Sequence, residues 1–284
     1  MLRYLTHMSS NRSHLPLGVF DSGLGGLTVV RALREALPGE DIIYLGDTAR
    51  VPYGTKAPET VVRYSLGCAR TLVARDVKAI VVACNTAVSA VAPERLRIDL
   101  DLPVIGVVDP GARAAVAATR NCKIGVIGTS VTVSSGAYVR AVAALSTRCE
   151  VVANAAPLLV PLAEEGWVEG EVPRLAVRRY LEPLAAAGVD VIVLGCTHYP
   201  LLRAVIEHEA RAMIGEHVRV VDSAHATASD TAELLRAQQL LRASPSGGNV
   251  HICVTDVPRS FSETATRFLG TKPRDVEQID LVSL

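Results

Sequence analysis

Several features that would assign this 284-residue chain to a common functional class are scarce or missing. Aromatic residues make up only 4%, and 29 basic side chains balance 29 acidic ones, so neither base stacking nor bulk charge favours a nucleic-acid or anionic-membrane partner. The longest uncharged stretch that we find, residues 124–139, has 16 residues including Gly, Ser and Thr, which is too short and polar for a membrane span. Six cysteines in a chain of this length do not make a disulfide framework, which favours the reducing cytoplasm.

Cofactor signatures are weak as well. A pyridoxal-phosphate enzyme needs a Schiff-base lysine, and the glycine-rich segment 21–27 fits a dinucleotide fingerprint only in part, because Thr28 stands at the third glycine position. None of the four lysines is convincingly placed at the carboxyl end of a predicted strand: Lys56, Lys78, Lys123 and Lys272. We therefore expect no cofactor.

Short Val- and Ile-rich runs alternate with amphipathic stretches, which predicts an α/β fold with mainly parallel sheets covered on both faces. The predicted strands are 17–20, 42–45, 79–83, 104–108, 124–127, 151–153, 191–194 and 218–221. Helical patterns include 27–37, 58–75 and 174–187.

Three pairs of segments repeat in the same order, at offsets of 107, 112 and 113 residues: 18–22 with 125–129, 80–86 with 192–198, and 107–109 with 220–222. This predicts two similar three-layer α/β domains facing each other across a cleft with pseudo-twofold symmetry. We expect residues 17–105 plus 218–284 in the first domain, 106–217 in the second, and 1–16 as a disordered leader. Because ligands of open parallel sheets bind beyond the carboxyl ends of the strands, the cleft is the expected site.

Two cysteines occupy matched positions in the two halves. Cys84 and Cys196 each follow an apolar strand and closely precede a threonine, where backbone donors and a helix dipole are expected to lower a thiol's pKa. Taken singly, each could be a small buried core residue. As a pair they could form a disulfide, hold a metal together with His198, or act as acid and base on opposite faces of one carbon. The matched positions favour the acid/base pair, and no metal site is predicted; the other cysteines are expected to be structural: Cys68, Cys122, Cys149 and Cys253.

Further polar residues follow the predicted strands. Asp21 is expected near one thiol and His198 near the other, and Ser22 with backbone N–H groups suits a carboxylate. A rigid turn containing Pro52 and Gly54 is expected to place the Tyr53 hydroxyl over the cleft. Neutral donors and acceptors that suit a small zwitterion complete the predicted binding set: Asn85, Thr86, Thr129 and Thr197.

Together these motifs resemble those of glutamate racemases, the cofactor-independent enzymes of bacterial cell-wall synthesis. The resemblance covers about residues 18–223 and is carried by Asp21-Ser-Gly-Leu-Gly-Gly, Asp47 with Pro52-Tyr-Gly54, Ala83-Cys-Asn-Thr-Ala87 and Gly195-Cys-Thr-His-Tyr-Pro-Leu-Leu202. The chain departs from the family where Asp109 replaces a usual Glu and where Ala156 replaces a frequent Cys.

The resemblance implies interconversion of L- and D-glutamate, with Cys84 taking the proton from D-glutamate and Cys196 from L-glutamate. Asp21 and His198 would assist their neighbouring thiols, and a cytoplasmic homodimer is implied. The residues that match the family's substrate-binding positions are Asp21, Ser22, Tyr53, Gly54, Asn85, Thr86, Thr197 and His198. Two alternatives remain: a racemase for aspartate or another amino acid, and a non-catalytic two-lobed amino-acid binding protein.

Overall fold

The computed structural model describes residues 12–91 and 93–281, which form α/β layers. Their strands are β1 Leu17–Asp21, β2 Ile42–Gly46, β3 Ala79–Val82, β4 Val104–Gly106, β5 Lys123–Gly128, β6 Glu150–Ala155, β7 Val191–Gly195, β8 Arg219–Asp222, β9 Val250–Val254 and β10 Val276–Gln278. The helices are α1 Leu27–Ala36, α2 Pro58–Val73, α3 Asn85–Ala90, α4 Pro93–Leu100, α5 Val108–Ala118, α6 Ser130–Ser134, α7 Ala137–Leu145, α8 Leu159–Glu164, α9 Glu171–Ala187, α10 Arg203–Ile214, α11 Ser223–Ala237 and α12 Phe261–Leu269.

The strands form two parallel sheets whose orders confirm the repeat. The first sheet runs β10-β9-β2-β1-β3-β4 and the second runs β6-β5-β7-β8. Within them, β2-β1-β3-β4 and β6-β5-β7-β8 are the same arrangement in two copies, and all the pairings are parallel. The predicted fold class, two similar α/β halves with parallel sheets, is therefore confirmed.

Helices cover both faces of each sheet. On the first sheet, α2 lies against β1 and β2, while α1 packs against β2, α11 and α12. On the second, α9 and α10 pack together over β6 and β8, and α5 and α7 cover the other face. Helix α11 also contacts α5, so it joins the two halves.

The alternation of side chains along the second sheet divides its apolar residues between two cores. Val191 and Val193 on β7 join a core that extends through the first half. Ile192 and Leu194, which point the other way, belong to a second core beneath α9 and α10. Burial on both faces explains why these strands are continuous apolar runs.

The structure corrects two of the predicted boundaries. Strand β8 pairs with β7, so residues 218–222 belong to the second sheet and not to the first domain as predicted. In the predicted leader 1–16, Arg12–His14 form a 3-10 turn, and Arg12 Nη2 donates to the Val77 carbonyl at 2.9 Å. Residues 1–11 lie outside the described residues.

Strands β9 and β10 were not predicted and extend the first sheet beyond β2. Among the described residues, we find no helix with the length and apolar character needed to cross a bilayer.

Candidate active site

The predicted residues follow the carboxyl ends of strands in both halves. Asp21 ends β1, Cys84 lies two residues after β3, and Thr129 follows β5. Cys196 follows β7 directly, and His198 comes two residues later. Because the strands of each sheet are parallel, these residues all lie at the carboxyl end of their sheet.

Both thiols line one cavity of about 140 Å³ between the halves. Of the predicted residues it brings together Ser22, Pro52, Tyr53, Gly54, Cys84, Asn85, Thr86, Thr129, Cys196, Thr197 and His198. Asp21 is fully buried and does not line the cavity itself. Sequence reasoning missed Val51, Thr55, Ser130, Pro157, Val160, Pro161 and Glu164.

Cys84 caps the amino terminus of α3. Its Sγ accepts a hydrogen bond from Ala87 N at 3.4 Å and donates to Ser22 Oγ at 3.5 Å. Burial and the negative charge of Asp21 nevertheless raise the pKa of Cys84 to about 12, against the lowering action of these hydrogen bonds. The expectation of a lowered pKa is therefore wrong for Cys84, because desolvation outweighs the helix terminus.

Asp21 and Asn85 each hold a buried polar atom that has no hydrogen-bond partner among the described residues. Asp21 Oδ2 accepts from Gly23 N at 3.0 Å, but its Oδ1 has no partner. Asn85 Oδ1 accepts from the Tyr138 hydroxyl at 2.8 Å, which leaves Nδ2 as an unpartnered donor. An unpaired buried polar atom costs about 1–3 kcal/mol of folding stability. Because Asn85 lines the cavity, its Nδ2 can donate a hydrogen bond to a bound carboxylate.

The second thiol lies beside an imidazole. Cys196 Sγ is 3.8 Å from His198 Nδ1, and His198 Nε2 is 2.9 Å from Glu164 Oε1. Burial alone would lower the pKa of His198, but Cys196 and Glu164 raise it to about 10. This raised pKa favours the imidazolium, whose two N–H groups face the sulfur and the carboxylate.

Glu164, which contacts His198, is among the cavity residues that sequence reasoning missed. It ends α8, 34 residues before His198, and belongs to none of the repeated segments. No spacing in the sequence points to it. Ser130, in contrast, follows the predicted Thr129 and could have been found as its neighbour.

Threonines join the two halves around the cavity. Thr86 Oγ1 and Thr129 Oγ1 are 3.0 Å apart across the cleft. Thr129 also caps α6, with its Oγ1 accepting from Thr132 N at 3.2 Å. On the opposite side Thr28 Oγ1 donates to the Thr197 carbonyl at 3.2 Å. These contacts fix the distance between the walls that carry the two thiols.

Tyr53 lies at the cavity, but its hydroxyl does not point over the cleft as predicted. The hydroxyl is buried and donates to Asp47 Oδ2 at 2.6 Å. Asp47 also accepts from Arg50 Nη1 at 2.8 Å and Thr255 Oγ1 at 2.9 Å. The hydroxyl thus anchors the turn, while Gly54 closely approaches Thr129.

The glycine-rich turn after β1 packs against the second half. A Cβ on Gly25 would lie 2.5 Å from His198 Nδ1, and a Cβ on Gly26 would meet the Asp21 side chain. Neither residue lines the cavity. The turn therefore lets the first half approach His198 closely.

The comparisons with known proteins agree with this geometry. The Asp/Glu/Hydantoin racemase family model matches residues 21–231. A glutamate racemase of Geobacter metallireducens is 56% identical over 265 residues, which cover 93% of this chain and 96% of that protein.

Two solved structures have the same fold over almost the whole chain. The structure of glutamate racemase from Thermus thermophilus in complex with β-chloro-D-alanine has a TM-score of 0.84 and 45% identity, covering 95% of this chain and 98% of that one. That of the Francisella tularensis glutamate racemase in complex with D-glutamate has a TM-score of 0.86 and 35% identity, covering 94% and 98%. With a cavity that holds two matched cysteines, this chain belongs to the Asp/Glu/Hydantoin racemase family.

Proposed function

We propose that this protein interconverts L-glutamate and D-glutamate without a cofactor, through two thiols that act on opposite faces of Cα, and so supplies D-glutamate for peptidoglycan synthesis. The observation that carries the proposal is that Cys84 and Cys196, from equivalent positions in two repeated halves, line one cavity. The glutamate racemases of Geobacter metallireducens and Thermus thermophilus, both at least 45% identical, support glutamate as the substrate.

The two thiols have different surroundings, which suggests how the protons move. The raised pKa of Cys84, about 12, keeps it protonated at neutral pH, so it can act as the acid. Cys196 Sγ lies 3.8 Å from the His198 ring, and Cys196 is the base in this direction. In the L-to-D direction Cys196 removes the Cα proton, the electron pair remains on the substrate, and Cys84 donates its proton to the opposite face.

The D-to-L direction uses the same groups in reverse. Cys84 is then the thiolate, and Asp21 makes it a stronger base because the nearby negative charge raises the thiol's pKa. Cys196 is the thiol that returns a proton to the other face of Cα. His198, which contacts Glu164, lies beside Cys196 and assists it in both directions.

The substrate's carboxylates need donors, because the Cα proton is a very weak acid while the adjacent carboxylate stays ionised. Asn85 Nδ2 and the hydroxyls of Thr86 and Thr197 line the cavity and supply neutral donors. Donors that are already in place stabilise the negative charge that develops in the transition state. Ser22 lies against Cys84 and completes this wall.

The proposal includes a homodimer in the cytoplasm. The six cysteines of the described residues are free thiols, which suits a reducing compartment. Segment 158–175 exposes large apolar side chains, including Trp167 at 56% and Leu175 at 59%, which supports a subunit interface on the second half. Sedimentation analysis should show a dimer, and Trp167→Glu should shift it towards the monomer.

The activity is tested with purified, reduced protein and no added cofactor. We expect circular dichroism to show racemisation from L- and from D-glutamate, and much slower change with D-aspartate. Cys84→Ala and Cys196→Ala should each lose racemisation in both directions, whereas the control Cys149→Ser should keep it. Faster turnover of aspartate than of glutamate would mean that aspartate is the substrate. Tight binding of glutamate without turnover would mean that the chain is an amino-acid binding protein.

A further inference from the structure

A second cluster of ligating side chains lies on the edge of the first sheet, away from the cavity. In the part of the chain that the structure describes, one group of three has ligand atoms within 4.8 Å of one another: His251, Cys253 and Glu277. None of these residues lines the cavity or belongs to the repeated segments. Racemisation gives them no role.

The register of β9 and β10 explains why they meet. His251 and Cys253 are two residues apart on β9, so their side chains point to the same face. Strand β10 pairs in parallel with β9 and sets Glu277 beside Cys253. The same register brings Asp275, just before β10, beside His251, since Ile252 N donates to the Asp275 carbonyl at 3.0 Å.

The distances are close to those of a metal site. His251 Nε2 lies 2.8 Å from Glu277 Oε2, and Cys253 Sγ lies 3.8 Å from the same oxygen. With Zn–N and Zn–O bonds near 2.05 Å and Zn–S near 2.3 Å, a tetrahedral zinc separates nitrogen from oxygen by about 3.3 Å and sulfur from oxygen by about 3.6 Å. Both distances differ from these values by about half an ångström or less, and all three ligand atoms lie within 4.8 Å of one another.

Two further contacts resemble the outer shell of known metal sites. His251 Nδ1 lies 2.5 Å from Asp275 Oδ2, which orients the ring and leaves Nε2 directed at the cluster. Arg75 binds both oxygens of Glu277 at 2.8 Å and offsets part of the negative charge. Since a carboxylate oxygen has two lone pairs, Glu277 Oε2 can accept from Arg75 and still bind a metal.

We propose that His251, Cys253 and Glu277 form a zinc-binding site that fastens the edge strand β10 to β9. One imidazole, one thiolate and one carboxylate suit Zn²⁺, whereas Mg²⁺ and Ca²⁺ require oxygen ligands. When the metal binds, the Cys253 thiol and the His251 Nε2–H that faces Glu277 each lose a proton to solvent, and no electron is transferred. Cys253 is fully buried, whereas His251 and Glu277 are part-exposed, which leaves a fourth position open to water.

The test uses the full chain with Cys84→Ser and Cys196→Ser, so that the cavity thiols do not bind the probe. Co²⁺ is added as a spectroscopic substitute for zinc. We expect one equivalent to give a thiolate-to-cobalt charge-transfer band and the visible bands of tetrahedral cobalt, both removed by excess Zn²⁺. Adding Cys253→Ser should abolish the charge-transfer band, and the matched control Cys149→Ser should retain it.

Two milder variants separate ligation from damage to the fold. His251→Gln should weaken cobalt binding by tenfold or more, and Asp275→Asn, which only changes the partner of the ring, by about tenfold. Both should keep the far-ultraviolet circular dichroism of the parent. An absent charge-transfer band, or one that survives Cys253→Ser, would overturn the zinc site.

Discussion

Gly25 offers a way to displace His198 without replacing any side chain proposed to take part in the reaction. The backbone of Gly25 lies outside the left-handed region, so alanine would be tolerated by the chain conformation itself. Its Cβ, however, would lie 2.4 Å from Thr197 Oγ1, 2.5 Å from His198 Nδ1 and 2.6 Å from His198 Cε1, where ordinary contacts begin at 3.4 Å. Gly25→Ala must therefore move the ring and the Thr197 hydroxyl, or separate the two halves, by about 1 Å.

The expected loss follows from that displacement. His198 Nδ1 faces Cys196 Sγ at 3.8 Å, so a shift of about 1 Å breaks this contact. A misplacement of this size costs about 100-fold in rate, and overpacking costs about 1–3 kcal/mol of stability. We expect kcat for L-glutamate to fall about 100-fold while the protein stays folded.

The assay compares kcat and KM in both directions, together with urea unfolding. Gly67→Ala is the matched control, because a Cβ on Gly67 would meet only Leu281 Cδ1, at 3.5 Å. Gly67 lies within α2, where alanine is favoured by about 1 kcal/mol, so this variant should keep full activity and gain stability. If Gly25→Ala retained wild-type kcat, the close packing of the glycine turn on His198 would have no catalytic role.

Three further outcomes are expected. Cys84→Ser and Cys196→Ser should each racemise at least 100-fold more slowly in both directions, because a serine hydroxyl is scarcely ionised at neutral pH; near-normal rates in a polarimetric assay would show that the thiol is structural. Glu164→Gln should lower the pKa of His198, now about 10, so the alkaline limb of kcat/KM should move to lower pH. The raised pKa of His198 stabilises the native protein below pH 6.5, and this stabilisation is lost as pH rises through about 10. The Glu164→Gln variant should therefore also show a weaker pH dependence of its unfolding free energy. An alkaline limb that does not shift would contradict the coupling between Glu164 and His198. Tyr53→Phe should leave KM nearly unchanged but destabilise the protein by about 1–3 kcal/mol in urea, because its hydroxyl binds a buried carboxylate and not the substrate; a KM increase of tenfold or more would restore the predicted binding role.

Much of the fold could be read from sequence because the buried strands are apolar on both faces. The eight predicted strands all exist, and the repeat places Cys84 and Cys196 in one cavity. Strand β10, at the edge of the first sheet, and its neighbour β9 were not predicted, because Glu277 and His251 interrupt the apolar pattern.

Local context explains the errors at the site. The turn around Tyr53 indicated a hydroxyl near the cleft, but its direction depends on Asp47, a partner six residues away that the turn pattern does not reveal. The pKa of Cys84 depends on its burial and on the nearby charge of Asp21, and both arise only when the chain folds. Glu164 reaches His198 through tertiary packing alone. Sequence thus predicted the two thiols that line one cavity, whereas the protonation of the groups around them depends on contacts made across the fold.

The most direct test of the two-thiol account is initial-rate proton NMR of the wild-type protein with L-glutamate in heavy water, without a cofactor. If one thiol removes the proton and the other supplies a solvent-derived deuteron to the opposite face, the D-glutamate formed carries deuterium at Cα. The remaining L-glutamate keeps its proton at early times. D-glutamate that retains the original proton would mean that a single group carries it from one face to the other, and would contradict the account.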